Sequence, residues 1–273
     1  MGQVPQIVQR RRPAQALAVL RGASVVMGRT LFALILREAR TRHGRSRIGY
    51  AWAVLEPIAI VAMISALFSG VIGNHAPSLD IGIFYALGVV QFQFFRHASH
   101  FVGLSIEGNT ALLNYPTVHE VDTALARLLL DGATYVLITC GTLAFVILAF
   151  HTDGPAHPEW MFLSFGGLAL LAFGIGLNLA AFQRRYEMAM HVWGLITTPL
   201  FFISALLFSL GALPTPLREI LLWNPVAHGV EGFRSGWYPD YGAYVDLPYL
   251  YFCGLACTAT GLIQVLGSRR GMR

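Results

Sequence analysis

The sequence has 273 residues, of which 55% are apolar and only 12% are charged. Soluble domains carry about 25% charged residues, so this chain has too little polar surface to face water on all sides, and its composition predicts an all-α integral membrane protein. All 19 basic residues are arginine. The missing lysine excludes an ordinary P-loop and a Schiff-base enzyme, because both kinds of site need one.

The N-terminal segment, 1–29, is predicted to be a cytoplasmic arm that the mature protein keeps. Three arginines at 10–12 precede a weak apolar stretch that Arg21 interrupts, and no clear cleavage site follows. Residues 30–42 have the pattern of an amphipathic helix, which lies in the membrane interface rather than crossing the bilayer. The remainder, 30–273, is predicted to form one transmembrane domain.

Six segments are predicted to span the membrane, because each has about 20 mostly apolar residues. They cover approximately 51–73, 81–102, 128–150, 160–182, 191–213 and 248–267. The second is the weakest, since its uninterrupted apolar part rises only about 22 Å as a helix, against a hydrocarbon core of roughly 30 Å. We expect this helix to continue past Arg96.

The arginines predict the orientation, because basic residues concentrate on the cytoplasmic side of a membrane protein. Seventeen of the 19 fall on one predicted side: ten in 1–50, Arg96, Arg127, two in the 183–187 loop and three in the C-terminal tail. The other two, Arg218 and Arg234, lie in 214–247, which is predicted to face outward together with 74–80 and 151–159. Both termini are therefore predicted to be cytoplasmic.

Three segments outside the spans are more specific than loops need to be, and the first is 37–57. It carries Arg37, Arg40, Arg42, Arg45 and Arg47, followed by Tyr50 and Trp52. Guanidinium groups bind phosphate bidentately, so these arginines are candidates for binding lipid phosphates beside the first span. The alternative is that they only set the orientation and that the aromatic residues form an interfacial belt.

The second segment, 103–122, is short, polar and predicted to be cytoplasmic. Pro116 ends any helix at about Tyr115, because the residue before a proline disfavours the helical conformation. A short cytoplasmic helix between two spans is a place where a partner domain could bind and transmit a movement to the spans.

The third segment, 214–247, is predicted to face outward. An apolar helical stripe begins at Leu217 and ends at Asn224, and 226–237 has the pattern of a second short helix rich in aromatic residues. The segment is too apolar for a solvated loop. We expect it to dip toward the bilayer or to cap a pore.

Motifs in these segments resemble the membrane subunit of type-2 ABC exporters, in the branch that exports capsular polysaccharide or lipid-linked O-antigen. They are RSRIGYAWAVLEP at 45–57, NTALLNYPTVHEVD at 109–122 and WNPVAHGVEGFRSGWY at 223–238. The similarity extends from about Thr30 to the C-terminus.

The resemblance implies a permease subunit of the bacterial inner membrane that moves a lipid-linked polysaccharide. It implies a homodimer, two copies of a separate cytoplasmic ABC ATPase subunit that use ATP and Mg, and periplasmic or outer-membrane export components. No nucleic-acid partner is expected, and no catalytic residue, bound cofactor or metal site is expected in this chain.

The resemblance also assigns residues to roles. Segments 30–42 and 103–122 would meet the ATPase, with Glu38, Glu107, Asn114 and His119 as coupling candidates. The 214–247 segment would form re-entrant or gating helices, with gate candidates Trp223, Asn224, Pro225, Glu231, Arg234 and Trp237. Candidates for the substrate or its lipid anchor are Arg37, Arg40, Arg45, Arg47, Trp52 and Arg96.

Several alternatives stay open at this point. Arg96 either lines the route of an acidic glycan or extends to the cytoplasmic interface. The substrate is either capsular polysaccharide or O-antigen or another glycolipid. A membrane-embedded lipid or glycan transferase would need clustered carboxylates with metal-ligand spacing, and an ion-coupled transporter would need ionisable groups deep in several spans.

Overall fold

The computed structural model describes residues 27–40, 59, 63, 78–113, 118–150 and 152–270, and every regular element in them is helical. Residues 27–40 form α1, followed by α2 (Ser78–Gly103), α3 (Thr110–Leu113), α4 (Glu120–Phe150), α5 (Pro158–Gln183), α6 (Ala189–Ile203), α7 (Thr215–Leu221), α8 (Pro225–Trp237) and α9 (Leu247–Arg270). The predicted all-α class is confirmed for this part of the chain.

Three of the described helices are long and apolar enough to cross a membrane: Glu120–Phe145, Pro158–Gln183 and Leu247–Gly267. They fall at the predicted third, fourth and sixth spans. α2 continues past Arg96, as predicted, and its 26 residues rise about 39 Å. The predicted first span, 51–73, lies outside the described residues except for 59 and 63, which are helical. Six spans therefore stay a prediction.

The predicted fifth span, 191–213, is wrong as one continuous helix, because α6 ends at Ile203. α6 contains Pro199, which lacks a backbone N–H. Ala205 then adopts a φ of 57°, a left-handed conformation that non-glycine residues seldom take, and regular structure resumes only at the 3-10 turn Leu210–Ala212. The 15 residues of α6 rise about 22 Å, less than the thickness of the hydrocarbon core.

Helices α5 and α9 run in the same direction and approach each other through small residues. A side chain added at Gly174 of α5 would collide with the backbone of Thr258, and Gly261 of α9 lies directly against α5. Asn178 donates a hydrogen bond to the Cys257 carbonyl at 2.7 Å. Small residues joined by a polar side chain are typical of helix packing in membranes.

Helix α8 is buried along its whole length and packs against α2, α5 and α9. Its glycines at 229, 232 and 236 face α5, where larger side chains would collide. Gly229 lies against Leu168, ten residues into α5, whereas Gly236 lies against Met161 near the start of α5. α8 is thus antiparallel to α5 and begins about 15 Å inside the bundle. The two short helices predicted in 214–247 are confirmed as α7 and α8.

Candidate functional site

A buried arginine joins α8 to the non-helical segment that follows α6. Arg234 is fully buried, and its guanidinium donates to the Phe84 carbonyl at 3.1 Å and to the Leu206 carbonyl at 2.8 Å. It also donates to the Ala205 carbonyl and forms an ion pair with Glu231 at 3.0 Å. We call these five residues the Arg234 cluster.

The Arg234 cluster satisfies backbone groups that the end of α6 leaves without helical partners. An unsatisfied polar group inside a membrane protein is costly, because little water reaches it. Arginine suits this position, since its planar guanidinium carries five donors in a fixed geometry. Gly88 of α2 makes room for it, because a side chain there would collide with the guanidinium. The guanidinium carbon also lies 3.5 Å from the centroid of the Phe84 ring.

Glu231 balances the charge of Arg234 and is held on its other side by Tyr241. The Tyr241 hydroxyl donates to Glu231 Oε1 at 2.6 Å. Tyr241 lies in the connection between α8 and α9, where burial and the Glu231 carboxylate raise the pKa of Tyr241 well above its ordinary value, so the hydroxyl stays protonated. A buried ion pair is stable when further hydrogen bonds satisfy its remaining atoms, and Tyr241 and the carbonyls supply them here.

The predicted gate residues gather around α8, with one exception. Asn224 caps α8 with its side-chain oxygen, and its Nδ2 donates to the Ile203 carbonyl at 3.0 Å, which ties α8 to the last residue of α6. Pro225 begins α8, and the buried Trp237 ends it. Trp223 is 80% exposed and stands apart from the Arg234 cluster. A gating role for these residues stays a prediction.

Sequence reasoning missed several residues that surround Arg234. Ala205 and Leu206 had the pattern of a span interior, and Phe84 and Gly88 had that of ordinary residues in the second span. One signal was present: Arg234 is an ionisable residue in an apolar segment, where a charge requires a partner.

The opposite end of the bundle carries polar contacts that attach α1 to the other helices. Arg127 of α4 forms an ion pair with Glu38 of α1 at 2.8 Å. Arg127 also donates to the Phe101 carbonyl, near the end of α2, at 3.1 Å. Arg37 of α1 donates to Asn109 Oδ1 at 2.8 Å. α1 is therefore fixed to α4 and to the turn after α2, and Arg127 joins α4 to α2.

These contacts extend to the end of α5. Gln183 donates to the Glu107 carboxylate at 3.1 Å, and Arg184 forms an ion pair with Glu120, the first residue of α4. We call the participating side chains the end network: Arg37, Glu38, Glu107, Asn109, Glu120, Arg127, Gln183 and Arg184. The sequence did not predict the pairings in it, because each joins residues far apart in the chain.

The end network includes two of the four predicted coupling residues. The Glu38 side chain is only 12% exposed, so it fixes α1 in place, whereas Glu107 is exposed. His119 lies just before α4, where its backbone N–H donates to Asp122 Oδ2 at 3.1 Å. Asn114 lies outside the described residues.

The predicted substrate and anchor residues are only partly visible in the structure. Arg37 and Arg40 are exposed on α1, and Arg96 is half-buried on α2, seven residues before its end. The others, Arg45, Arg47 and Trp52, lie outside the described residues. Their binding of a lipid anchor stays a prediction.

The structure is that of a helical membrane protein with an irregular interior. It has apolar helices of spanning length and a short helix, α8, that begins inside the bundle. It also has a helix end after α6 whose backbone carbonyls bond a side chain. Transporters commonly have this architecture. Residues 29–238 match the ABC-2 type transporter family. The chain belongs to this family, and its role is transport rather than catalysis.

Several polysaccharide export proteins are similar to most of the chain. It is 33% identical to the polysialic acid transport protein KpsM of Escherichia coli, over 85% of this chain and 91% of the relative. It is 30% identical to the capsule polysaccharide export inner-membrane protein CtrC of Neisseria meningitidis serogroup A, over 91% and 94%. A more distant relative is the O-antigen export system permease protein RfbA of Klebsiella pneumoniae, 19% identical over 83% and 86%.

Proposed function

We propose that this chain is the channel-forming permease subunit of an ATP-driven exporter that moves lipid-linked capsular polysaccharide across the bacterial inner membrane to the periplasm. The observation that carries the proposal is the similarity to KpsM and CtrC over most of the chain. The O-antigen permease is only 19% identical, so capsular polysaccharide is the better-supported cargo.

The working exporter in this proposal has two copies of this chain and two copies of a cytoplasmic ABC ATPase. The ATPase binds and hydrolyses ATP with Mg, because this chain has no lysine with which to build an ordinary P-loop. Periplasmic and outer-membrane components would carry the polymer onward. The chain is multi-pass, with both termini in the cytoplasm.

The end network supports a route from the ATPase to the spans. Its residues Glu38 and Glu107 lie in the two segments assigned to ATPase contact, and their partners lie on α4 and at the end of α5. A displacement of α1 would therefore pull on α4, and a displacement of the 107–109 turn would pull on α5. Arg37 and Arg40 of α1 and Arg184 and Arg185 after α5 lie at the same end, which fits a cytoplasmic location.

The Arg234 cluster supports a gating role for α8 at the other end. α8 begins inside the bundle and does not span the membrane. It could therefore shift without the displacement of a whole spanning helix. Its hydrogen bonds to the carbonyls of Ala205 and Leu206 connect it to the break after α6. A movement of α6 would be passed directly to α8.

The lipid anchor of the polymer would first meet the arginines around α1. Arg37 and Arg40 are exposed on α1, and Arg45, Arg47 and Trp52 follow them in the sequence. We propose that this segment meets the lipid phosphates, because guanidinium groups bind phosphate bidentately. Arg96 would then face the glycan. The simpler alternative is that the arginines only set orientation, and a correctly inserted Arg40, Arg45 and Arg47 triple variant that exports normally would favour it.

Deletion of the gene tests the function as a whole. Surface polysaccharide should disappear, polymer should accumulate inside the cell, and the gene supplied on a plasmid should restore export. Normal surface polymer after a verified deletion would contradict the proposal. Loss of polymer synthesis in isolated membranes, without accumulation, would instead support a membrane-embedded transferase.

Thiol labelling in sealed cells tests the orientation. In a variant without the native cysteines, a single cysteine at Asp153 should react with an impermeant reagent, because the 151–159 connection is predicted to face outward. Single cysteines at Gln183 or Ser268 should react only after the membrane is broken. Strong labelling at either of these two positions in sealed cells would reverse the proposed topology.

A further inference from the structure

A cleft of 1060 Å³ opens at the end of the bundle where α5 and α9 begin, opposite the end network. Its walls come from the first turns of these helices, from the end of α7 and from the connection before α9. Aromatic and acidic side chains line it: Trp160, Trp223, Tyr244, Tyr249, Glu219 and Asp246. Because two helices of spanning length begin here, the cleft lies at the level where a bilayer has its headgroups.

A buried histidine fixes two walls of this cleft relative to each other. His228 is 2% exposed, and its Nδ1 accepts a hydrogen bond from the Asp246 backbone N–H at 3.1 Å. Its Nε2 therefore carries the proton and donates to the Leu222 carbonyl at 2.8 Å. Through α8, these two bonds join the end of α7 to the start of α9, so the cleft is formed before any ligand arrives.

The cleft presents charges of both signs. Among the described residues that line it, the charged side chains are the carboxylates of Glu219 and Asp246, and both residues are exposed. The Arg218 guanidinium lies 4.3 Å from the centroid of the Tyr244 ring, so a cation adjoins this wall of the cleft. A ligand that carries one cation and one anion therefore finds an opposite charge for each.

The exposed tryptophans suit the cationic part of such a ligand. The Tyr249 hydroxyl donates to the Trp223 carbonyl at 3.0 Å, and the Tyr249 N–H donates to Asp246 Oδ1 at 2.9 Å. The backbone of Trp223 is thus held in place, whereas its side chain is 80% exposed, and that of Trp160 is 39% exposed. Among aromatic side chains, the indole ring attracts an ammonium group most strongly.

An apolar track leads from the cleft along α9. Pro248 and Tyr249 line the cleft in the first turn of this helix. Phe252 follows on the same face and is 69% exposed, and Leu255 follows one turn further and is 59% exposed. A soluble zwitterion has no use for such a track, whereas the acyl chain of a lipid fits it.

We infer that this cleft binds the headgroup of a phospholipid with a primary ammonium group, as in phosphatidylethanolamine. The ammonium donates to Glu219 and Asp246 and lies against Trp223, the phosphate pairs with Arg218, and an acyl chain follows the exposed face of α9. A primary ammonium group has three N–H donors for the two carboxylates. A choline group has none, and a phosphatidylglycerol headgroup has no cation. The bound lipid joins α7 to the start of α9.

Native mass spectrometry measures this binding directly. The full chain is purified in detergent with its ATPase partner, and dioleoyl phosphatidylethanolamine, phosphatidylcholine and phosphatidylglycerol are titrated in separately. The dissociation constant of phosphatidylethanolamine should be about tenfold below those of the other two, as expected for one charge-assisted hydrogen bond. Glycerophosphoethanolamine, which has the same headgroup without acyl chains, should not displace the lipid at equal concentration.

Variants assign the preference to the cleft. Glu219→Gln combined with Asp246→Asn should bring phosphatidylethanolamine to the affinity of phosphatidylcholine, and the new amide oxygen still accepts from the Tyr249 N–H. Arg218→Gln should weaken the binding of both lipids by a similar factor, because both carry the phosphate, and should leave the preference unchanged. Asp240→Asn is the control. It removes an exposed carboxylate of the same connection that does not line the cleft, and it should change nothing.

Three outcomes would overturn the inference. Equal affinities for the three lipids would leave the aromatic residues as an interfacial belt, and a preference that survives in the double variant would place the site elsewhere. Displacement by glycerophosphoethanolamine at equal concentration would show a site for soluble headgroups. Since the measurement involves no transport, its result does not depend on that of the gene deletion.

Discussion

Ion pairs occur at both ends of the bundle, and they differ in burial. Arg234 is fully buried and bonds three backbone carbonyls as well as Glu231. In the end network, the side chains of Arg127 and Arg184 keep 9% and 25% of their exposure. Arg234 is removed from water altogether, whereas the end network is graded: Arg127 and Glu120 are buried, and Arg184 and Glu107 keep contact with water.

This difference in burial separates a fixed joint from contacts that are able to change. Removing one partner of a buried pair strands a charge in the interior and costs much more than the pair itself contributes. An exposed contact, such as that between Glu107 and Gln183, contributes little, since water replaces the lost partner. In the proposed exporter, α6 and α8 would move as one, while the 107–109 turn would shift when the ATPase moves.

The largest effect should follow from Arg234→Leu. It leaves the carbonyls of Ala205 and Leu206 unsatisfied and Glu231 unpaired, and we expect a loss of about 3–5 kcal/mol in the free energy of unfolding. The measurements are the amount of folded protein in the membrane and the thermal unfolding of the purified protein.

The matched control for Arg234→Leu is Arg218→Leu. Arg218 is the other arginine of the predicted outer segment, but it is half-buried and lies 4.3 Å from the centroid of the Tyr244 ring. This control should change stability only slightly. Equal losses in the two variants would mean that the Arg234 cluster is not a rigid joint.

A smaller effect is expected from Gly88→Ala. The added methyl group would collide with a guanidinium that its hydrogen bonds hold in place, so we expect a loss of about 1–3 kcal/mol. Gly132→Ala on α4 is the control, since nothing lies within 4 Å of the added atom and alanine favours the helix. Unfolding curves of the two variants should therefore shift in opposite directions or differ clearly in size.

Breaking the end network should affect coupling more than folding. Glu38→Gln leaves Arg127 without its carboxylate, at a cost of about 1–3 kcal/mol, and export per ATP hydrolysed should fall. Glu159→Gln, which removes an exposed carboxylate beside His157 at the other end, is the control. A double-mutant cycle with Arg127→Gln measures the interaction energy between the two side chains. Additive effects of the two substitutions would show that the side chains do not interact.

The smallest change in stability should come from Glu107→Gln, because Glu107 is exposed. If the 103–122 segment receives the push of the ATPase, this variant should still insert and fold while its ATP hydrolysis and export become uncoupled. His119→Ala should act in the same direction. Asp153→Asn, in the opposite connection, should leave the ratio of export to hydrolysis unchanged; normal export in both test variants would place the ATPase contact elsewhere.

The sequence by itself determined the features that depend on short-range pattern. Low charge and long apolar runs identify a membrane protein, and they located the helices α4, α5 and α9. The stripe that ends at Asn224 and Pro225 identified α7 and α8, because a capping side chain and a proline at the first helical position are local signals.

Only the tertiary structure determined the backbone conformation in segments where the apolar pattern was misleading. Residues 204–213 are as apolar as a span, yet the chain leaves the helix at Ser204 because Arg234, about thirty residues later, supplies donors to the carbonyls of Ala205 and Leu206. The pairing of Glu38 with Arg127 was equally out of reach, since the predicted cytoplasmic segments hold five carboxylates and nothing in the local sequence selects one of them. Local sequence limits which backbone conformations are possible, but only the assembled bundle determines which buried polar groups meet, because each must find its partner where water cannot replace it.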